Sequence, residues 1–518
     1  MAWDYNRSKE RIQKHLDGMA EIKVEKLTRD ADLNSLLSET CCREIYGAHA
    51  YVNVSNFAHL ASGSAEDEDR YKELIQAIHI YQREVSRIVE GDGIFDGVRV
   101  HFQGPKLHAL FFRPIDASAK ISAKAVLLQL VLKDFVTSVF NPAFPDFGDF
   151  KVAGGADIGD AIGTRNGSHG DRELLFLGDP ANHAAKIINS HGRLRLTKRV
   201  YDELPEDLRE ICDSVAGETD LYQAQTVAPS KLDELTKEHG VGWDREASRK
   251  RVDADKEQFP LEDISYSGAD KLIDIDDLTI RNNKRVLAAS VFGDTTGFTA
   301  YIGASASNEQ KKERLREFHA IRKEMAEVVR KDFNGIRVQF QGDRVQGLVH
   351  LPKDDDAGIA TEAVDVVVGL QSSMEKSLKD CFPAIKNKLF LAAAVDQGTT
   401  LVTKLGTRGH RDRICLGDPV EEAATCEERC EDKEIGVSKA VYDELPDRLK
   451  SHFSYNATRR CYIAAGLTAD KVEQAQKASS LYGGNGGVYV TSGAAGVAVS
   501  TEGTPDARKV VPAKSYGA

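Results

Sequence analysis

Two hydrophobic rhythms alternate along this chain, and the alternation runs twice. Residues 48–53 and 286–294 are short apolar runs, the mark of buried strands. Each is followed by a long charged stretch, 67–90 and 308–331, with apolar residues at helical spacing such as Leu74, Ile78, Ile80 and Val85. Strand-like patterning returns at 98–112 and 336–351 and predicts a hairpin in each case. A second helix is predicted at 121–140 and at 361–380, and a strand pair after it. Another helix then opens at Leu177-Gly178-Asp179-Pro180 and again at Leu416-Gly417-Asp418-Pro419. Proline suits the first turn of a helix, where its missing N–H costs nothing.

The repetition reaches residue identities. Gly97-Val98-Arg99-Val100-His101-Phe102-Gln103-Gly104 recurs as Gly335-Ile336-Arg337-Val338-Gln339-Phe340-Gln341-Gly342, and Val200-Tyr201-Asp202-Glu203-Leu204-Pro205 recurs from Val441 to Pro446. Three ordered matches at one offset of about 240 residues mark a duplicated domain; a solenoid would repeat every 20–50 residues or so. The expected fold class is α+β, with two tandem ferredoxin-like domains. Residues 1–44 read as a helical extension, 45–215 as the first domain (copy one) and 216–284 as a charged linker. Residues 285–465 are the second domain (copy two), and 466–518 a C-terminal helix and tail. Past Tyr482 the tail is rich in Gly, Ala, Ser and Thr and is expected to be disordered.

Composition narrows the class. A net charge of −12 argues against a surface that grips polymeric nucleic acid or an acidic membrane. The start of the chain is charged and has no apolar core of a secretory signal. The most apolar stretch, 123–140, is interrupted by Lys124, Lys133 and Asp134 and reads as a buried helix. Eight scattered cysteines indicate neither a zinc site nor a disulfide framework, since Cys426 and Cys430 have no second pair. A cytoplasmic protein is the simplest expectation.

The candidate chemistry begins at Val291-Phe292-Gly293-Asp294-Thr295-Thr296-Gly297-Phe298-Thr299. Here a carboxylate ends a strand, and a glycine turn and a helix start follow it. Turn amides and a helix N-terminus suit phosphate oxygens, and the carboxylate suits a cation. A second carboxylate, Asp343, sits at the tip of the copy-two hairpin, where two acidic residues on adjacent strand ends could hold a pair of divalent ions.

These residues, with Gly178-Asp179-Pro180-Ala181-Asn182-His183-Ala184-Ala185-Lys186, resemble the class III nucleotidyl cyclases over roughly residues 45–215 and 285–465. The resemblance implies a site between two domains, here a pseudo-heterodimer within one chain. It assigns Asp294, Thr295 and Asp343 to two Mn2+ or Mg2+ ions, Gly297, Phe298 and Thr299 to the triphosphate, Asn182 to the ribose and Lys186 to the transition state. The family usually has arginine where Lys186 stands, and lysine keeps the charge without the bidentate fork. The copies are degenerate in complementary ways. Copy one has Asn53 and Pro105 at the two metal positions, and copy two has Glu421 and Thr425 at the asparagine and cation positions. One complete site and one dead site are therefore expected, whether the chain works as a monomer or as a homodimer. The implied reaction is attack of the ribose 3′-hydroxyl on the α-phosphorus with loss of pyrophosphate.

Base choice rests on fewer residues. Where adenylate cyclases carry lysine and aspartate, this chain has His101 and Leu175. Tyr51 lies two residues before Asn53, on the same strand face, and could narrow the base pocket. Arg99 is read as sharing a face with His101 and donating to a base carbonyl. This pattern resembles the bacterial pyrimidine cyclases of the Pycsar antiphage system. The resemblance implies CTP or UTP as substrate and a separate effector that reads the cyclic product. An adenylate or guanylate cyclase, or a nucleotide-binding sensor without turnover, are the alternatives.

Overall fold

The computed structural model describes residues 3–19, 21–62, 67–145, 147–166, 173–188, 191–303, 307–407 and 410–482; the tail expected to be disordered, 483–518, lies outside the described residues. Among these, each copy is built on a nine-stranded sheet. In copy one the strand Cys41–Val54 is central, antiparallel to Lys106–Phe111 on one side and Val152–Asn166 on the other. The hairpin partner Val98–Gln103 extends one flank, and Leu194–Thr197, Leu221–Ala224 and Cys212–Ser214 extend the other. Glu173–Leu177 pairs with the far half of Val152–Asn166. Copy two repeats the order, with Asn282–Thr296 central between Arg344–Val349 and Phe390–Thr407, and with His410–Leu416 in the place of Glu173–Leu177. The registers also repeat: Tyr51 opposes His108 as Phe292 opposes Gln346, and Asn166 opposes Glu173 as Leu405 opposes Asp412. Each position in one copy thus has a definite counterpart in the other.

The helices Ser118–Phe135 and Asp356–Ser372 pack on the central strands, as their nearly continuous apolar sequence requires. Local chemistry fixes where the charged helices start. Asp67 accepts from the backbone N–H groups of Asp69 and Arg70 ahead of Glu68–Glu90, and Ser307 forms a capping box with Gln310 ahead of Asn308–Glu327.

The copies interlock through their cores. Leu401, Leu405, Ile414 and Leu416 of copy two pack into the core of copy one, and Ile162, Leu175 and Leu177 of copy one pack into that of copy two. At roughly 1.5–3 kcal/mol for each fully buried large aliphatic side chain, this exchange opposes separation of the copies.

The extension and the linker turn out to contain the same element. Trp3, Asp4, Ser8, Arg11 and Ile12 match Trp243, Asp244, Ser248, Arg251 and Val252. Asp4 and Asp244 cap the helices Tyr5–Gly18 and Arg245–Gln258. The first helix crosses to copy two, where Ser8 Oγ and Arg11 Nη2 each reach Glu324 at 2.6 Å. The second lies on copy one, where Ser248 Oγ and Arg251 Nη2 reach Glu84 at 2.7 and 2.6 Å. The strands that follow, Lys23–Lys26 and Ser265–Ser267, run parallel to the central strands of copies one and two respectively. Each repeat therefore keeps its strand and lends its helix to the other copy. Among the described residues no helix is long and apolar enough to cross a membrane.

Candidate active site

The metal-type carboxylates of copy two sit where adjacent strands end together. Asp294 lies near the end of Asn282–Thr296, and Asp343 follows Gly342 in the hairpin turn between Ile336–Gln341 and Arg344–Val349. Gly293 opposes Val345, which brings the two acids to one end of the sheet. The Thr295 hydroxyl donates to the Asp343 carbonyl at 3.4 Å. Gly297 follows with φ +84°, and a Cβ there would fall 2.2 Å from the Lys388 carbonyl, so only glycine turns the chain into the short helix Phe298–Gly303.

Asn182 arrives from the other copy. Its helix, Asp179–Lys186, starts with Pro180 in the first turn and buries Asn182 on the side facing copy two. The Asn182 amide Nδ2 donates to Thr299 Oγ1 at 3.1 Å. That contact joins Asn182 of copy one to the turn after Asp294 in copy two. Lys186 is exposed at the last turn of the same helix.

Tyr51 is fully buried beneath this helix, against Ala184 and Ala185. Its ring stacks on His108 at 4.1 Å, and its hydroxyl is buried without a hydrogen-bond partner among the described residues. His101 meets His108 edge-on at 5.2 Å and shares a hydrogen bond with Gln103 at 3.1 Å. His49 Nδ1 and His108 Nε2 are 3.0 Å apart. Burial pulls the His101 pKa down to about 4 and that of His49 to about 3, and it holds His108 well below its usual value. Burial thus keeps these three imidazoles neutral at physiological pH, each with one donor and one acceptor nitrogen.

Arg99 is placed elsewhere. A bulge separates it from His101, so Arg99 opposes Ala109 while His101 opposes His108, and the two side chains leave opposite faces instead of sharing one. The Arg99 guanidinium donates to Asp412 of copy two at 2.7 Å. Its counterpart Arg337 makes the matching contact to Glu173 of copy one, also at 2.7 Å.

A cavity of about 250 Å3 marks the second, pseudo-symmetric position. Asn53 and Pro105 line it from copy one, and Phe292, Gln339, Gln346 and Glu421 from copy two. These are the counterparts of Asp294, Asp343, Tyr51, His101, His108 and Asn182. The cavity thus carries the register of the complete site without its carboxylate pair.

No family model matches the sequence. The chain is 28% identical to a uridylate cyclase of Pseudomonas aeruginosa, over 94% of this chain and 96% of that protein. It is 24% identical to a uridylate cyclase of a Rhizobium species, over 83% of each. Its fold matches the crystal structure of a class III adenylyl cyclase-like ATP-binding protein from Pseudomonas aeruginosa with a TM-score of 0.78 and 25% identity, covering 92% of this chain and 99% of that one. In sequence and fold the chain is similar to class III nucleotidyl cyclases. The two sheets are two cyclase domains in tandem.

The donor set of this cyclase fold fits divalent cations. Burial, and then the charge of Asp294, push the Asp343 carboxyl far above the usual carboxylate range, with Arg322 offsetting only part. A buried carboxylate held beside a half-buried one is what divalent cations relieve. Asp294 and Asp343 would hold such ions, with Thr295 beside them. Sequence reasoning missed His108, although a tight turn at Gly104-Pro105 would have paired it with His101. It also missed Glu173 and Arg322, which join the copies and have no local signature.

Proposed function

We propose that this chain is a pyrimidine nucleotidyl cyclase that converts UTP to 3′,5′-cyclic UMP and pyrophosphate. The observation that carries the reading is the Asn182–Thr299 hydrogen bond, which joins the nucleotide-orienting half of copy one to the acidic half of copy two. The two uridylate cyclases among its relatives support the choice of base. So does the neutral imidazole of His101, which can both donate and accept, since uracil presents alternating carbonyls and N–H.

Bound Mn2+ or Mg2+ would supply the charge that acidifies the ribose 3′-hydroxyl and stabilises the triphosphate. Asp294 and Asp343 hold that charge at the strand ends. The Gly297 turn and Thr299 receive the phosphates, while Asn182 fixes the ribose so that its hydroxyl faces the α-phosphorus. Tyr51, His101 and His108 close around the base, and Lys186 offers a cation to the developing charge. Positioning and electrostatics then carry the rate, with no covalent intermediate on the protein. One chain contains both halves, so the site is intramolecular. The product would act on a separate effector, as in antiphage signalling.

A second reading comes from the structural relative, an ATP-binding protein: nucleotide binding with ATP as ligand. Incubating the purified chain with ATP, GTP, CTP and UTP separately, with Mn2+ or Mg2+, and identifying products by mass spectrometry separates the two. Cyclic UMP from UTP supports the proposal. Cyclic AMP would overturn the choice of base, while no product from any triphosphate together with ATP binding by calorimetry would support the second reading instead.

A further inference from the structure

We propose that Glu173 of copy one and Arg322 of copy two form a clamp that positions the metal-binding hairpin tip. The inference rests on the cyclase reading and adds two positioning residues to it. Arg322 projects from Asn308–Glu327 and divides its guanidinium between two acceptors. Nη1 donates to the Gly342 carbonyl, one peptide before Asp343, and Nη2 donates to the Glu173 carboxylate. The guanidinium lies 4.0 Å from the centre of the Phe340 ring, so its plane is packed as well as bonded. The other Glu173 oxygen accepts from Arg337 Nη1 at 2.7 Å and from the Phe340 N–H at 3.4 Å. One carboxylate of the nucleotide-orienting copy therefore holds both an arm and, through Arg322, the tip of the hairpin that bears Asp343.

The other copy provides the control. Asp412 is the counterpart of Glu173 and accepts from Arg99 at 2.7 Å, so the anchor on the arm is present in both copies. The counterpart of Arg322 is Gln82, which donates to the Gly104 carbonyl at 2.8 Å. Gln82 supports the tip but brings no charge to Asp412. The charged bridge from tip to opposite copy thus exists only where the tip carries an aspartate, and is missing where it carries Pro105. A planar fork that spans two acceptors fixes an angle as well as a distance, which neither glutamine nor lysine does. Glu173 also opens the strand that carries Leu175, and both line a cavity beside His101, so that cavity and the tip of copy two share one anchor. Misplacement of a reacting group by about 1 Å can cost on the order of 10²-fold in rate.

The test uses the full chain with Arg322→Gln, Arg322→Lys, Glu173→Gln and the Glu173→Gln/Arg322→Gln double variant. Thermal melting confirms folding; Arg322→Lys, which keeps the charge, is the variant least prone to unfold. The readouts are kcat and KM for the nucleotide that wild type turns over, and Mn2+ affinity by titration with Mn2+ alone. A positioning role predicts kcat lower by roughly tenfold in each single variant, with KM within about threefold. Mn2+ binding weakens in both Arg322 variants, and the double variant is no worse than the poorer single one. A purely electrostatic role predicts the reverse for Mn2+: tighter binding in Arg322→Gln, where a cation next to Asp343 is lost, and no change in Arg322→Lys. That outcome, or unchanged kcat and Mn2+ affinity in folded variants, overturns the clamp. If wild type turns over no triphosphate, the cyclase reading fails on its own, and the Mn2+ titrations still decide the clamp.

Discussion

At Gly104 and at Gly342 the hairpins turn with φ of +59° and +71°, between arms of matching register. After the turn, copy one places Pro105 and copy two Asp343. Proline suits a turn and has no charge to bury. Asp343 is 6% exposed, beside another carboxylate, and burial and that neighbour both oppose its ionisation. The acid is thus a local cost to stability that copy one avoids and copy two keeps. The same contrast holds across the two sites: sheet order, bulge and hairpin glycine are shared, while the side chains that could handle a triphosphate are confined to one of them. Duplication keeps both frameworks because each copy is part of the other's core, while the carboxylate pair stands at only one of the two sites.

The sharpest way to break this comparison is to remove the acids. Asp294→Ala and Asp343→Ala should each lower cyclase activity by on the order of 10³-fold, measured as cyclic nucleotide formed per minute. Asp343→Asn should lose activity similarly, yet raise the melting temperature of the metal-free protein, because it removes a buried repulsion. A lower melting temperature would mean that the carboxylate pair stabilises the fold, against this account. Next in size is Asn182→Ala, expected to cost about 10²-fold in kcat with the fold intact, since its role is orientation. Lys186→Ala should cost roughly tenfold and Lys186→Arg little, if the position supplies only a cation. The smallest effects belong to the degenerate cavity. Asn53→Ala and Glu421→Ala should change turnover by less than about twofold, within the range of surface-like substitutions. A large loss there would mean that the two sites are not functionally distinct.

The sequence made the duplication legible because the hairpin and Gly-Asp-Pro repeats are short-range patterns that survive divergence. Asp294, Asp343 and Asn182 were legible for the same reason, each lying next to a turn with its own glycine or proline. The matching Trp-Asp elements at Trp3 and Trp243 were equally visible at the same offset, but they flank the repeated domains and read as extension and linker. The helix exchange they encode depends on contacts such as Ser8 to Glu324, far apart in the chain. The face of Arg99 was misread because counting by twos assumes an unbroken pleat, and the bulge before His101 breaks it. Glu173 and Arg322 lay beyond reach, since neither copy repeats the pair and their meeting requires both sheets to be in place.

The measurement that most directly tests a site built across two copies of one chain is a mixing experiment. Asp294→Ala and Asn182→Ala chains, each inactive alone, are combined in equal amounts, incubated and assayed for cyclic nucleotide formation. A site completed within each chain predicts that the mixture stays as inactive as its components. Recovery of a substantial fraction of wild-type activity would mean that copy one of one chain pairs with copy two of another, and would contradict the intramolecular site.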